Sequence, residues 1–220
     1  MPARDPSALL REGLDALGVP NADACRSRLE AYMTELERWN PRFGLVKYED
    51  RAELVVKHVL DSLSAWRVVR DLASSGTGAV LDVGSGAGLP GIPLAAALPD
   101  LSFTLLERMT RRASFLKTCC VLLGLPHVKV IASDLSAIEG DFDVVTFRAV
   151  APLSRFLSDI GKAGVHWGAI AAYKGRKERA EAEIEDVRRL PGTALRAEIV
   201  DLVTPFLDEE RCLAVITNGP

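Results

Sequence analysis

The sequence predicts a mostly parallel, doubly wound α/β sheet that ends on an antiparallel strand, preceded by a helical extension. Three observations predict it. Beyond residue 79, apolar runs of strand length alternate with helical segments at least four times, the pattern of βαβ units in a parallel sheet. The last two runs, Ala197–Thr204 and Arg211–Thr217, are joined only by Pro205–Glu210. That loop is too short for a parallel crossover, so the two strands must be antiparallel. The first third of the chain reads as helices. The expected division is residues 1–72 as the extension and 73–220 as the α/β domain.

In the extension, Asn21 is expected to cap a helix whose apolar positions are Cys25, Leu29, Tyr32, Met33, Leu36 and Trp39, with Asn40-Pro41 ending it. A second helix is expected over Arg51–Asp71, with Val55, Val59, Leu63 and Trp66 on one face. Ala73–Gly78 reads as a loop. The α/β part then gives strand Ala79–Val83, helix Pro90–Leu98, strand Leu101–Glu107, and a helix from a capping Thr110 to Leu123, stopped by Gly124. Strands Val128–Ala132 and Phe142–Arg148, helix Pro152–Gly161, strand Ala169–Lys174 and the charged helix Arg176–Leu190 follow, before the closing hairpin. A parallel sheet finished by an antiparallel hairpin is the layout of the Rossmann-like S-adenosylmethionine (SAM) dependent methyltransferase fold, and is less expected of a dinucleotide dehydrogenase.

The chain of 220 residues, 48% hydrophobic and 26% charged, has enough apolar material for a sizeable core. Its net charge of −3 argues against a general polyanion binder, so any nucleic acid must be met by a local basic patch. The four cysteines, Cys25, Cys119, Cys120 and Cys212, form no C-x-x-C pair and read as reduced thiols of an intracellular protein. The N-terminal stretch lacks a basic-then-apolar signal, and no apolar run nears the roughly 18 residues that span a bilayer. A cytoplasmic location is expected, with no membrane partner and no metal.

Chemistry is expected at Asp82-Val83-Gly84-Ser85-Gly86-Ala87-Gly88. It follows the first strand of the sheet, at the carboxyl edge where open α/β sheets bind ligands. Glycines let the backbone turn and a ligand approach, and the next helix offers free N–H groups. Two ligand classes compete. Gly86-Ala87-Gly88-Leu89-Pro90-Gly91 also fits the dinucleotide G-x-G-x-x-G. Against that, Asp82–Ser85 intervenes after the strand, and an acid ahead of the first glycine suits an amino group and a sulfonium better than a pyrophosphate. Glu107, ending the second strand, can accept both hydroxyls of a ribose, which either ligand carries.

Basic residues collect at the same edge: Arg108, Arg111, Arg112 and Lys117 after the second strand, Arg148 at the end of the fourth, and Lys174, Arg176, Lys177 and Arg179 after the fifth. They read either as solvated helix faces or as a footprint for a phosphate backbone. His58 and Asp61, three apart on a helix, read as a site pair or a surface pair.

Several blocks together resemble the RsmG family, also called glucose-inhibited division protein B, over almost the whole chain. They are Trp39-Asn40, Lys57–Leu63 (KHVLDSL), Leu81–Ala95 (LDVGSGAGLPGIPLA), Arg111–Leu116, Phe142–Leu153 (FDVVTFRAVAPL) and Tyr173-Lys174-Gly175. The resemblance implies methylation of guanine N7 in the 530 loop of bacterial 16S rRNA, with 16S rRNA or the small ribosomal subunit as partner and SAM as cofactor; a monomer is expected. It implies SAM contacts at Gly84, Leu89, Leu135, Ser136 and Arg148, with Glu107 at the family's acidic position; Gly86 joins them from the loop. Arg111, Arg112, Lys174 and Arg176 are the expected RNA contacts. The chain departs from the family's usual W-N-x-x-x-N-L-T after Trp39-Asn40, and from its R-x-E at Asp134-Leu135-Ser136. No residue is expected to act as a general base, because guanine N7 already carries a lone pair; Arg148 is the expected positioning residue. A small-molecule SAM methyltransferase and a non-catalytic nucleotide-binding module are the alternatives.

Overall fold

The computed structural model describes residues 5–74, 76–189 and 195–218. Helix α1 spans Pro6–Leu17; the Asp5 carboxylate accepts from Ser7 and Ala8 N–H, and Gly18 in the left-handed region ends it. Helix α2 spans Ala22–Phe43. Asn21 stands at its cap as expected, but its side chain makes no cap bond. Nor does Pro41 stop the helix, which ends instead at the left-handed Gly44. Asn40 then fixes the exit of the chain: its amide donates to the Val46 carbonyl at 2.8 Å and accepts from Val46 N–H at 3.0 Å.

The expected second helix is assembled from pieces. Helix α3 (Arg51–Glu53) runs into a π-helical stretch, Leu54–Leu60, then into α4 (Asp61–Leu63). After a turn comes α5 (Trp66–Ala73). Widened π turns recur at functional sites, and this one faces the candidate site.

The sheet has seven strands: β1 (Ala79–Val83), β2 (Ser102–Leu106), β3 (Val128–Ile131), β4 (Glu139–Arg148), β5 (Gly164–Lys174), β6 (Leu195–Leu202) and β7 (Arg211–Asn218). Their order is β3-β2-β1-β4-β5-β7-β6. The pairs β2–β3, β1–β2, β1–β4 and β4–β5 are parallel; β7 is antiparallel to both β5 and β6. This is the predicted layout. The carboxyl ends of β1, β2, β4 and β5 thus share one edge.

Helices α6 (Gly91–Ala97), α7 (Thr110–Leu122), α8 (Leu153–Ile160) and α9 (Lys177–Arg188) connect the strands. Every residue of α6 is buried, as befits a helix apolar all round. Thr110 does not cap α7; the cap position is Met109, and no side chain bonds there. The expected end of the last helix at Leu190 lies outside the described residues. Strands β4 and β5 begin earlier than expected, because Glu139–Asp141 and Gly164–His166 pair with each other in register despite their polar and glycine content.

Two apolar clusters sandwich the sheet. One joins α1–α5 with α6, α7 and one sheet face, including Val80, Phe103 and Leu105. The other lies under α8 and α9 and includes Leu81, Val83 and Phe147. The helical extension therefore covers a sheet face directly.

Candidate functional site

At the carboxyl edge the turn after β1 is tied to the end of β2. Gly84 and Ser85 N–H donate to the Leu106 carbonyl at 2.8 and 3.1 Å. Gly84 and Gly86 take φ of 69° and 57°, a region in which a Cβ is strained. A Cβ on Gly84 would also lie 2.8 Å from Val150 Cγ2. The turn therefore needs glycine there for conformation and for space.

Glu107 is 4% exposed. Its Oε2 accepts from Gly86 N–H at 2.9 Å and its Oε1 from Met109 N–H at 2.8 Å. The carboxylate is held by two loops, with its position fixed in the wall. From the opposite side Tyr32, buried in α2, donates its hydroxyl to the Ala87 carbonyl at 2.7 Å. The extension thus grips the glycine turn.

The glycine turn, Glu107 and Met109 line a cavity of about 900 Å³, large enough for a nucleoside ligand. It brings together all seven expected cofactor contacts: Gly84, Gly86, Leu89, Glu107, Leu135, Ser136 and Arg148. Leu135-Ser136 forms a short 3₁₀ turn after β3. Of the expected RNA contacts, only Arg112 lines this cavity. Arg111 is exposed at a groove beside Trp39 and Phe43. Lys174 and Arg176 line a second cavity. There Lys174 pairs with Glu183 at 2.7 Å and is mostly buried, whereas Arg176 is exposed.

Arg148 is held from the extension. Its Nη2 forms an ion pair with Asp61 Oδ2 at 3.1 Å and donates to the Lys57 carbonyl at 3.1 Å. The latter belongs to the π-helical stretch. Asp61, with a side chain 3% exposed, also receives Arg211 Nε at 2.9 Å and Thr204 at 3.4 Å. Arg148 Nη1 is buried with no hydrogen-bond partner among the described residues, a costly condition.

Asp82 departs from expectation. It is wholly buried and does not line the cavity. Its Oδ2 accepts from Gly91 N–H at 3.2 Å, so it supports the start of α6 from beneath the turn. Burial pushes its carboxyl up to about 7.

His58 and Asp61 serve different partners. Asp61 takes the two arginines, while His58 lines the cavity with its Nε2 3.1 Å from the Lys47 carbonyl. Burial, with Arg148 second, lowers the pKa of His58 below the usual histidine value. Leu45 and Val46, delivered by the Asn40 clamp, and the exposed Met109 and Val150 complete the apolar wall. Sequence reasoning missed these four. The Trp39-Asn40 block was the available signal for the first two.

A family model described as GidB, rRNA small subunit methyltransferase G, matches residues 25–203. The chain belongs to this family. A Treponema pallidum (strain Nichols) member named Ribosomal RNA small subunit methyltransferase G is 38% identical over 95% of this chain and 93% of its own length. One of the same name from Neisseria meningitidis serogroup C (strain 053442) is 36% identical over 94% and 96%.

Among solved structures, the METTL16 MTase domain superposes with a TM-score of 0.58 at 16% identity, covering 99% of this chain and 81% of that one. Human methyltransferase 10 domain containing protein gives 0.55 at 16% identity, covering 88% and 98%. These neighbours share the Rossmann-like fold. Among the described residues, no group of His, Cys, Asp and Glu could hold a metal ion, and no helix is long and apolar enough to cross a membrane. The four cysteines are free thiols.

Proposed function

We propose that the chain transfers the methyl group of SAM to N7 of a guanine in the 530 loop of 16S rRNA. One observation carries the reading: in a member of the GidB family, the glycine turn, the fixed Glu107 carboxylate and Arg148 meet in one cavity. The residues fit this cofactor. Glu107 suits the ribose hydroxyls, Leu135-Ser136 the adenine, and the cradle of Gly84 and Gly86 a ligand pressed against the backbone.

When bound, SAM supplies an electrophilic sulfonium methyl. The chain's own task is alignment and exclusion of water, which in-line displacement mainly requires. Leu89, Leu135, Val150 and Phe156 supply apolar wall. Arg148, anchored on Asp61 and Lys57 and lining the cavity, orients cofactor or base. Guanine N7 holds its lone pair in the neutral base, so His58 is not required to take a proton. Arg112 and Arg111 suit phosphates of the target strand, as does Arg176; Lys174 contributes through Glu183. We place the protein in the cytoplasm as a monomer.

The test maps 7-methylguanosine on 16S rRNA from cells with and without this protein, alongside transfer of tritiated methyl from SAM into small ribosomal subunits. Loss of the modification without the protein supports the reading. Unchanged modification, or no tritium in the subunits, overturns it.

A further inference from the structure

Beside the first cavity lies a second, of about 580 Å³, and Arg148–Ala151 lines both. Its charges do not balance. Arg148, Lys174, Arg176, Arg179 and Arg211 face only two lining carboxylates. One of these, Asp61, is occupied by Arg148 and Arg211, and Arg211 also reaches Glu209 outside the wall at 3.0 Å. The other, Glu183, takes Lys174 and Leu153 N–H, leaving Arg179 at 3.8 Å with its side chain 84% exposed. Arg176 has no side-chain hydrogen bond or ion pair among the described residues. Two exposed guanidinium groups, those of Arg176 and Arg179, are therefore available here, on a chain whose net charge is −3.

The shared wall carries a second sign. Ala149 has φ 54°, a left-handed conformation that strains an L residue and that tends to persist at ligand clamps. A base entering the first cavity brings its own covalently tied phosphates to this wall. Phosphate contacts fix register without reading sequence.

We infer that the second cavity is a seat for the phosphodiester adjacent to the methylated base, formed by Arg176 and Arg179 with Arg148 at the partition. The inference rests on the rRNA reading above. Arginine suits this role because its planar fork binds phosphate oxygens in pairs.

The test uses the full chain with Arg176→Ala/Arg179→Ala and with Arg176→Lys/Arg179→Lys. Binding of a single-stranded RNA spanning the 530 loop is measured against salt, SAM binding by calorimetry, and methyl transfer to small subunits. The alanine pair should raise the RNA KM about tenfold or more. It should lower the salt slope by about 0.7 for each phosphate that the variant no longer neutralises. SAM affinity should stay within about twofold, and the lysine pair should fall between. Inorganic phosphate should compete poorly.

An alanine pair with the parent's salt slope and KM would overturn the inference and leave the methyltransferase reading standing. Inorganic phosphate binding as tightly as the RNA would also overturn it, by making the seat one for a free anion. A parent chain that methylates no rRNA sinks the broader reading instead, while the salt slope still decides whether RNA phosphate is held here.

Discussion

Replacing Asp82 with asparagine should change how stability depends on pH. The carboxyl is fully buried, accepts Gly91 N–H on Oδ2, and has Oδ1 without a hydrogen-bond partner among the described residues. Burial raises it to about 7, with Glu107 adding a smaller push and Ser85 and Gly91 pulling down. An unfolded aspartate titrates near ~3.9, so roughly three pH units separate the states; at ~1.36 kcal/mol per unit that is about 4 kcal/mol. Between about pH 4 and 7 the folded chain holds a proton that the unfolded chain has released. This contribution is complete below the unfolded value and is lost as pH rises through the folded one.

Asparagine keeps the acceptor for Gly91 and cannot ionise. Relative to the parent, Asp82→Asn should therefore gain stability by up to about 4 kcal/mol from pH 4 to just above 7, then level off. Urea unfolding followed by circular dichroism across that range reads the difference. A constant offset between the two chains from pH 4 to 8 would refute the reasoning.

Asp61→Ala removes the shared partner of Arg148 and Arg211. Breaking a buried pair costs about 3–5 kcal/mol, so the thermal midpoint should fall by roughly 10 °C; an unchanged melting curve would count against the clasp. Arg148→Ala should lose most methyl transfer while keeping the parent's far-ultraviolet circular dichroism, and near-parental activity would remove Arg148 from the site. Tyr32→Phe deletes the 2.7 Å bond to Ala87 and should cost about 1–3 kcal/mol by leaving a buried carbonyl unpaired, measured by urea unfolding.

The sheet was legible because β1, β2 and β7 are short apolar runs and the final loop admits only an antiparallel return. Strand starts at Glu139 and Gly164 were not, since polar and glycine residues there read locally as loop while the ladder between them is a long-range fact. The π register of Leu54–Leu60 leaves the apolar spacing close to that of an α-helix, so periodicity could not reveal it. At the site, the glycine turn, Glu107 and the arginine ending β4 were visible as motifs. The direction of Asp82 was recoverable too: strand alternation puts it on the face of Val80, beneath α6, and opposite Leu81 and Val83. What local patterns could not supply were the bonds across the chain, such as Tyr32 to Ala87 and Arg148 to Lys57, separated by 55 and 91 residues.

The Asp61 clasp also orders events during synthesis. Asp61 leaves the ribosome well before Arg148, and Arg211 follows at the start of β7. Until β7 is made and paired, the acid lacks one of its two cations and the wall around Arg148 is not braced. A chain halted before Arg211 would carry every glycine and acid of the cavity yet lack the second cation that offsets the buried Asp61. The fold thereby makes synthesis through β7 a condition for a finished site.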